Sequence, residues 1–156
     1  MENNSSKNAT IELANHIYKT SKMGAKSITD VLPKVKSNSS KEKERFISEL
    51  TDEYSEYERI STKAQTTLHA MSVSPKEENL MVKMSAKAGI IMNTMSDPGI
   101  SHVASMMIEG LSMGVTDTTR RVRKAEEEGC DEEILTLGNN LISFQEKSID
   151  EMKKYL

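Results

Sequence analysis

The sequence is poor in the residues that build β-structure and covalently braced folds. Its 156 residues include no Trp, one Cys, three Pro and only 4% aromatic residues. β-Sandwiches and barrels need many turn residues and many β-branched or aromatic strand residues, so this composition argues against them. The single cysteine, Cys130, excludes an internal disulfide framework and is typical of a reducing cytosol. We interpret it as an incidental loop residue.

A strong charge of one sign and long apolar runs are also missing. The 21 basic and 24 acidic residues are interspersed and give a net charge of −3, whereas a nucleic-acid-binding protein would carry a basic stripe. No apolar run approaches the roughly 20 residues needed to span a bilayer. Residues 1–6 lack the charged-then-apolar pattern of a signal peptide. We therefore expect a cytoplasmic protein that binds neither nucleic acid nor membrane.

Hydrophobic periodicity predicts one helical domain over residues 10–156, preceded by a polar, disordered tail over residues 1–9. The first helix runs from about Thr10 to Leu32, and Pro33 kinks or ends it because proline lacks the N–H that the preceding turn needs. A loop follows. The tail and the first helix together account for about the N-terminal fifth of the chain.

The second predicted helix begins at Ser39 or Ser40, where Ser39 and Glu42 match a capping box. Its apolar stripe alternates steps of four and three residues. The stripe persists for about 30 residues, a length typical of a helix in a bundle. It consists of Phe46, Leu50, Glu53, Tyr57, Ile60, Ala64, Leu68 and Met71.

Capping residues mark the remaining boundaries. A Ser-Pro pair at 74–75 begins a short third helix. Asp97 caps a fourth helix, which Gly129 ends, and Asp131 caps a fifth. The inward face of the fifth helix is predicted to comprise Ile134, Leu141, Ile142, Ile149, Met152 and Leu156.

The helix lengths predict the architecture. Two long helices joined by a short loop should lie antiparallel, and the fourth and fifth helices repeat this arrangement. The short third helix can return the chain along the bundle. The predicted fold is therefore an all-α, ferritin-like four-helix bundle of two antiparallel helical hairpins with a short crossover helix.

Three segments carry a resemblance to a known family. The junction Leu68-His69-Ala70-Met71-Ser72-Val73-Ser74-Pro75 and the end Met152-Lys153-Lys154-Tyr155-Leu156 resemble uncharacterised bacterial ferritin-like bundle proteins. The segment Ile17-Tyr18-Lys19-Thr20-Ser21-Lys22-Met23-Gly24 is similar to the first hairpin of ferritin-like spore-coat proteins. The resemblance spans about Ile11 to Leu156. It implies a ferritin-like domain without an established reaction, and a role in stress or sporulation, with association with a spore.

The metal-ligand pattern of a di-iron bundle is absent from the sequence. Such bundles use Glu-x-x-His pairs, and the residues three before the three histidines are Leu13, Thr66 and Gly99. Weaker metal candidates, for iron or manganese, lie on or beside apolar stripes, as Gln145 does on the fifth helix. The simpler interpretation is that these candidates are polar groups at the edge of the core, and that His16 forms an exposed ion pair with Glu12. The candidates are Glu53, Glu56, His102, Glu109 and Asp117.

Methionine and glycine offer further hypotheses. Met81-x-x-Met84 and Met92-x-x-Met95 place thioethers on one helical face, which suits Cu(I), a groove for varied apolar partners, or plain core filling. We favour core filling, with partner binding ahead of copper. Small residues also cluster within helices, and they indicate close helix approach, a ligand pocket or an oligomer seam. They are Ser21, Gly24 and Ala25 in the first helix, and Gly110 and Gly114 in the fourth.

The leading functional hypothesis is a non-enzymatic bundle that acts through self-association or partner binding. The alternative is a ferritin-like metal-binding protein or oxidoreductase with non-standard carboxylate and histidine ligands. A third hypothesis is a small-ligand sensor that uses the space near Gly24 and Gly110. A phosphate loop, zinc spacing and a nucleophile elbow are all missing from the sequence.

Overall fold

The computed structural model describes residues 2–35, 40–76 and 99–156, and this part of the chain contains four helices and no strand. The helices are α1 (Glu2–Val35), α2 (Lys41–Ala70), α3 (Ile100–Glu127) and α4 (Glu132–Lys153). The predicted all-helical class is confirmed for these residues. The predicted third helix lies outside them, as do Met81, Met84, Met92 and Met95. None of the described helices is long and apolar enough to cross a membrane.

The helix ends follow local side-chain chemistry. Ser40 is the N-cap of α2, and its hydroxyl accepts a hydrogen bond from the backbone N–H of Lys43. Gly129 has a φ of +75°, the left-handed conformation that commonly terminates a helix, and Asp131 caps α4 through the N–H groups of Glu133 and Ile134. The predictions for Gly129 and Asp131 are confirmed, as is a start of α2 at Ser40, while Ser39 of the predicted capping box lies outside the described residues. The N-cap of α3 is Gly99, without a side-chain hydrogen bond, and the predicted cap Asp97 lies outside the described residues.

The start of α1 differs from the prediction of a disordered tail over residues 1–9, because the helix begins at Glu2. Tertiary contacts hold this segment. The Ser6 hydroxyl donates to the Gly129 carbonyl, the Thr10 hydroxyl accepts from the N–H of Asp131 at 3.0 Å, and Ala9 is buried. Hydrophobic periodicity does not predict this part of the helix, because residues 1–9 are mostly polar and their partners lie far away in the sequence. At its other end α1 continues through Pro33 to Val35, since a proline in the last turn removes a single donor.

The two pairs of consecutive helices form antiparallel hairpins. In the first pair, Lys22 of α1 contacts Glu58 of α2. Gly24, two residues further along α1, lies against Tyr57, which precedes Glu58 in α2. The second pair, α3 and α4, is antiparallel in the same way. Its contacts are Gly114 with Gln145 and Gly138 with Val122.

The packing of the hairpins fixes their relative direction. Glu12 and His16 of α1 contact Lys124 and Thr118 of α3, so α1 and α3 are antiparallel. Because α1 is also antiparallel to α2, helices α2 and α3 point the same way. The end of α2 and the start of α3 therefore lie at opposite ends of the bundle.

The core lies between α1, α2 and α4, with α3 closing it from the side of α1 and α4. The predicted stripe of α2 is buried from Phe46 to Leu68, and its end, Met71, is partly exposed. The prediction for Leu156 is wrong, since 66% of this residue is exposed. Tyr155 takes its place and packs edge-on against Phe46, with ring centroids 4.8 Å apart.

Candidate functional site

A cleft of about 700 Å³ lies between α1 and α3. Its volume falls within the range of small-molecule sites. Its floor reaches α2 and α4 through Tyr57 and Gln145. Its walls carry thioether and aliphatic groups, which come from Ile11, Met23, Val103, Met106, Met107 and Leu111.

Glycines shape this cleft. A Cβ at Gly24 would collide with the ring of Tyr57, and a Cβ at Gly114 would lie 2.5 Å from Gln145 Nε2. These two positions therefore admit the side chains that form the floor, which confirms close approach between helices there. Gly110 differs, because a Cβ there would meet nothing within 4 Å. The missing side chain of Gly110 leaves open space where α3 lines the cleft.

The floor of the cleft contains a buried polar pair. Gln145 is 2% exposed, and its Nε2 donates to the hydroxyl of Tyr57 at 3.3 Å. Burial raises the pKa of Tyr57 despite this hydrogen bond, so the phenol stays protonated. The Oε1 atom of Gln145 has no hydrogen-bond partner among the described residues. A buried amide oxygen without a partner is uncommon in native proteins.

His16 lies at the edge of the cleft and is largely buried, which corrects the prediction of an exposed ion pair with Glu12. Its Nε2 is 2.9 Å from the Thr118 hydroxyl, and its Nδ1 is 3.7 Å from Asp117 Oδ2. Glu12 instead contacts Lys124. Desolvation, reinforced by Arg121, lowers the pKa of His16 to about 4, so the imidazole is neutral at physiological pH.

Asp117, His16 and Thr118 follow the order of a carboxylate–imidazole–hydroxyl relay. The geometry does not suit catalysis. Thr118 is fully buried and does not line the cleft, so its hydroxyl is not presented to a substrate there, and the Asp117–His16 separation of 3.7 Å exceeds hydrogen-bond length. The imidazole–hydroxyl contact instead ties α1 to α3.

Charges of both signs surround the mouth of the cleft. The cationic groups among the described lining residues are Lys19, Lys76 and Arg121, and the anionic groups are Glu12, Asp30 and Asp117. The described lining residues thus carry three positive and three negative charges beside the neutral His16, and their sum favours neither an anion nor a cation.

The structure does not bring the five sequence-predicted metal candidates together. Glu53 is buried against α4, and Glu56 is bound to Arg59 at 2.8 Å on the outer side of α2. His102 and Glu109 are exposed on α3, and Asp117 pairs with Arg121 and lies 3.7 Å from the neutral His16. Within the described ranges, no group of three or more His, Cys, Asp or Glu side chains could hold a metal ion.

Glu53 is a buried acid at the α2–α4 contact. Burial disfavours the ionised form of Glu53, the Ser148 side chain acts in the opposite direction, and the neighbouring Glu49 and Glu151 add repulsion. Together these effects raise the pKa of Glu53 to about 7. Its Oε2 and that of Glu49 have no partner within the described part of the chain.

Cys130 lies in the loop between α3 and α4, as predicted, but it is not at the surface. It is buried beneath the start of α4, where its thiol lies 3.6 Å from the Asp131 carbonyl. Burial raises the pKa of the thiol. A thiol of this kind is poorly nucleophilic.

Comparison with known proteins gives no significant match to a family model, a curated protein or a solved structure. The membership of the chain in a family is therefore not shown by similarity. The cleft between α1 and α3 is the feature from which a function is inferred.

Proposed function

We propose that this protein is a non-enzymatic helical bundle that acts by binding an apolar ligand in the cleft between α1 and α3. The observation that supports this most is the cleft itself, whose volume of about 700 Å³ and apolar walls are those of a binding site. Flexible, polarisable methionine side chains adapt to the shape of an apolar ligand. Met23, Met106 and Met107 line this site.

Binding, rather than catalysis, suits the groups around the cleft. The Thr118 hydroxyl is buried, His16 is engaged with it, and the Tyr57 phenol is held protonated. These groups shape and polarise the site without presenting a nucleophile or a titrating base to a ligand. The proposed role is therefore that of a carrier or sensor.

We propose a ferritin-like arrangement for the fold. Two antiparallel hairpins, with α2 and α3 pointing the same way, support it, since ferritin-like bundles have one long connection between such hairpins. In this chain the connection would run between Lys76 and Gly99.

Self-association is a second candidate function, favoured by Met113. This residue lines the cleft and 70% of it is exposed, so it offers apolar surface beside the cleft for contact with a second copy of the chain. Light scattering at micromolar concentrations of wild type and Met113→Lys tests the idea. A dimer that Met113→Lys converts to a monomer supports it, and a wild type that is strictly monomeric contradicts it.

The test of cleft binding uses the neutral fluorophore N-phenyl-1-naphthylamine, whose emission increases in apolar surroundings. The wild-type chain should enhance its fluorescence saturably. Gly110→Leu should abolish the enhancement, because the new side chain enters open space at the cleft without touching existing atoms at its Cβ.

Glu109→Leu is the matched control for that experiment. It adds the same side chain to the same helix at an exposed position that does not line the cleft. Fluorescence should remain as in wild type. Equal enhancement by the Gly110→Leu variant, or none by wild type, would contradict binding in the cleft.

A further inference from the structure

The amide oxygen of Gln145, which has no hydrogen-bond partner in the part of the chain that the structure describes, carries information on the ligand. This inference rests on the function proposed above. Gln145 is one of the residues that line the cleft, it is 98% removed from solvent by the protein, and its Nε2 is already used by Tyr57. A buried acceptor without a donor destabilises the protein until a donor reaches it. A ligand in the cleft is the natural source of that donor.

The charges at the mouth restrict the ligand further. Among the described lining residues, three cationic and three anionic groups balance, so their summed charge favours neither an anion nor a cation. Aliphatic and thioether walls favour an apolar body. A charged ligand would lose hydration on entering this apolar part of the cleft.

We infer that the cleft binds an uncharged molecule with an apolar body and one hydrogen-bond donor, and that this donor binds Oε1 of Gln145. Phenols and long-chain alcohols belong to this class. Gly114 is part of the arrangement, because a Cβ there would displace the amide that receives the donor.

The experiment compares 4-butylphenol with 4-butylanisole as competitors of N-phenyl-1-naphthylamine on the full chain. The two share a body, but the methyl ether lacks the donor and is the more apolar compound. The phenol should displace the fluorophore at about fivefold lower concentration, the effect of one net hydrogen bond. Equal potency, or a preference for the ether, would overturn the inference.

Gln145→Met extends the test. It keeps a side chain of similar length and removes the acceptor, so both compounds should displace the fluorophore equally. A retained preference for the phenol in a folded variant would assign the donor to another group and overturn the inference. If this variant fails to fold, the wild-type comparison alone decides.

The inference and the proposed function fail in different ways. If the fluorophore binds wild type and Gly110→Leu blocks it, but the phenol has no advantage, then the cleft is a site and the donor inference is wrong. If neither the fluorophore nor either competitor binds, both are wrong.

Discussion

The side chains of Tyr57 and Gln145 meet across the bundle, with Gln145 Nε2 3.3 Å from the Tyr57 hydroxyl, and each lies where a glycine of another helix has no Cβ. Gly24 of α1 accommodates the ring of Tyr57, and Gly114 of α3 accommodates the amide of Gln145. Four helices thus contribute to one buried contact. This arrangement sets the floor of the cleft and makes the glycines distinguishable by experiment.

Gly24→Ala should lower the free energy of unfolding by roughly 1–3 kcal/mol, because the added methyl group collides with the buried ring of Tyr57. Urea denaturation measures the change. Gly110→Ala is the matched control, since its methyl group enters open space and alanine is the better helix former. It should raise stability by up to about 1 kcal/mol. If Gly24→Ala were stabilising as well, the close approach of α1 to Tyr57 would be wrong.

Glu53 should make the protein less stable as the pH rises. Its pKa is about 7 in the folded state and 4.5 ordinarily, so the folded state binds more protons between these values. The stability that protonated Glu53 contributes is fully present below pH 4.5 and is lost as the pH rises through 7. Glu53→Gln removes the ionisation and should raise stability above pH 7 by up to ~3 kcal/mol, with little effect in acid.

Urea denaturation of wild type and Glu53→Gln at pH values from below 4.5 to above 7 tests this prediction. A variant that matches wild type at every pH would show that Glu53 is not a buried acid. Glu56→Gln is a suitable control on the same helix, because Glu56 is partly exposed and bound to Arg59.

The titration of His16 should make the protein more stable as the pH rises, which is opposite to the effect of Glu53. Its pKa is about 4 in the folded state and 6.5 ordinarily, so the unfolded chain binds the extra proton. The stability that the neutral ring contributes is present above 6.5 and is lost as the pH falls through 4. His16→Gln should therefore be less sensitive to acid than wild type.

The opposing slopes give a sharp test. Between 4.5 and 6.5 the effects of Glu53 and His16 offset each other in wild type, and each single variant should reveal the slope of the other. NMR provides an independent check, since the ring signals of His16 should keep their neutral positions until the pH approaches 4. Protonation of His16 near its ordinary pKa would refute its burial against Thr118.

Cys130 should react slowly with a thiol reagent in the native protein, because its thiol is buried and its pKa is raised. We expect a rate at least about tenfold below that of the urea-unfolded chain. Absorbance with a disulfide reagent measures it. Equal rates in the two states would place Cys130 at the surface.

Much of the fold is predictable from the sequence because caps and periodic stripes are local features. Ser40, Gly129 and Asp131 act where their chemistry indicates, and the stripe from Phe46 to Leu68 is buried. The helical start of α1 was not predictable in this way, since Ser6 and Thr10 depend on partners more than 120 residues away.

The site was less predictable for the same reason. Gly24, Gly110 and Gly114 were recognised as unusual within helices, and Gln145 as a polar residue on an apolar stripe. The sequence held no sign that Tyr57 would bond Gln145, or that His16 would be buried by Thr118, because these contacts join different hairpins. Glu53, Glu56, His102, Glu109 and Asp117 shared stripes and flanks in the sequence, but their helices point them at different surroundings.

The most direct measurement of cleft binding is an NMR titration of the chain, labelled at its methionine methyl groups, with 4-butylphenol. The account predicts saturable shifts of the methyl signals of Met23, Met106, Met107 and Met113, which line the cleft, while Met152, fully buried in the core, stays unchanged. Uniform small shifts, or shifts that bypass these four methionines, would contradict it.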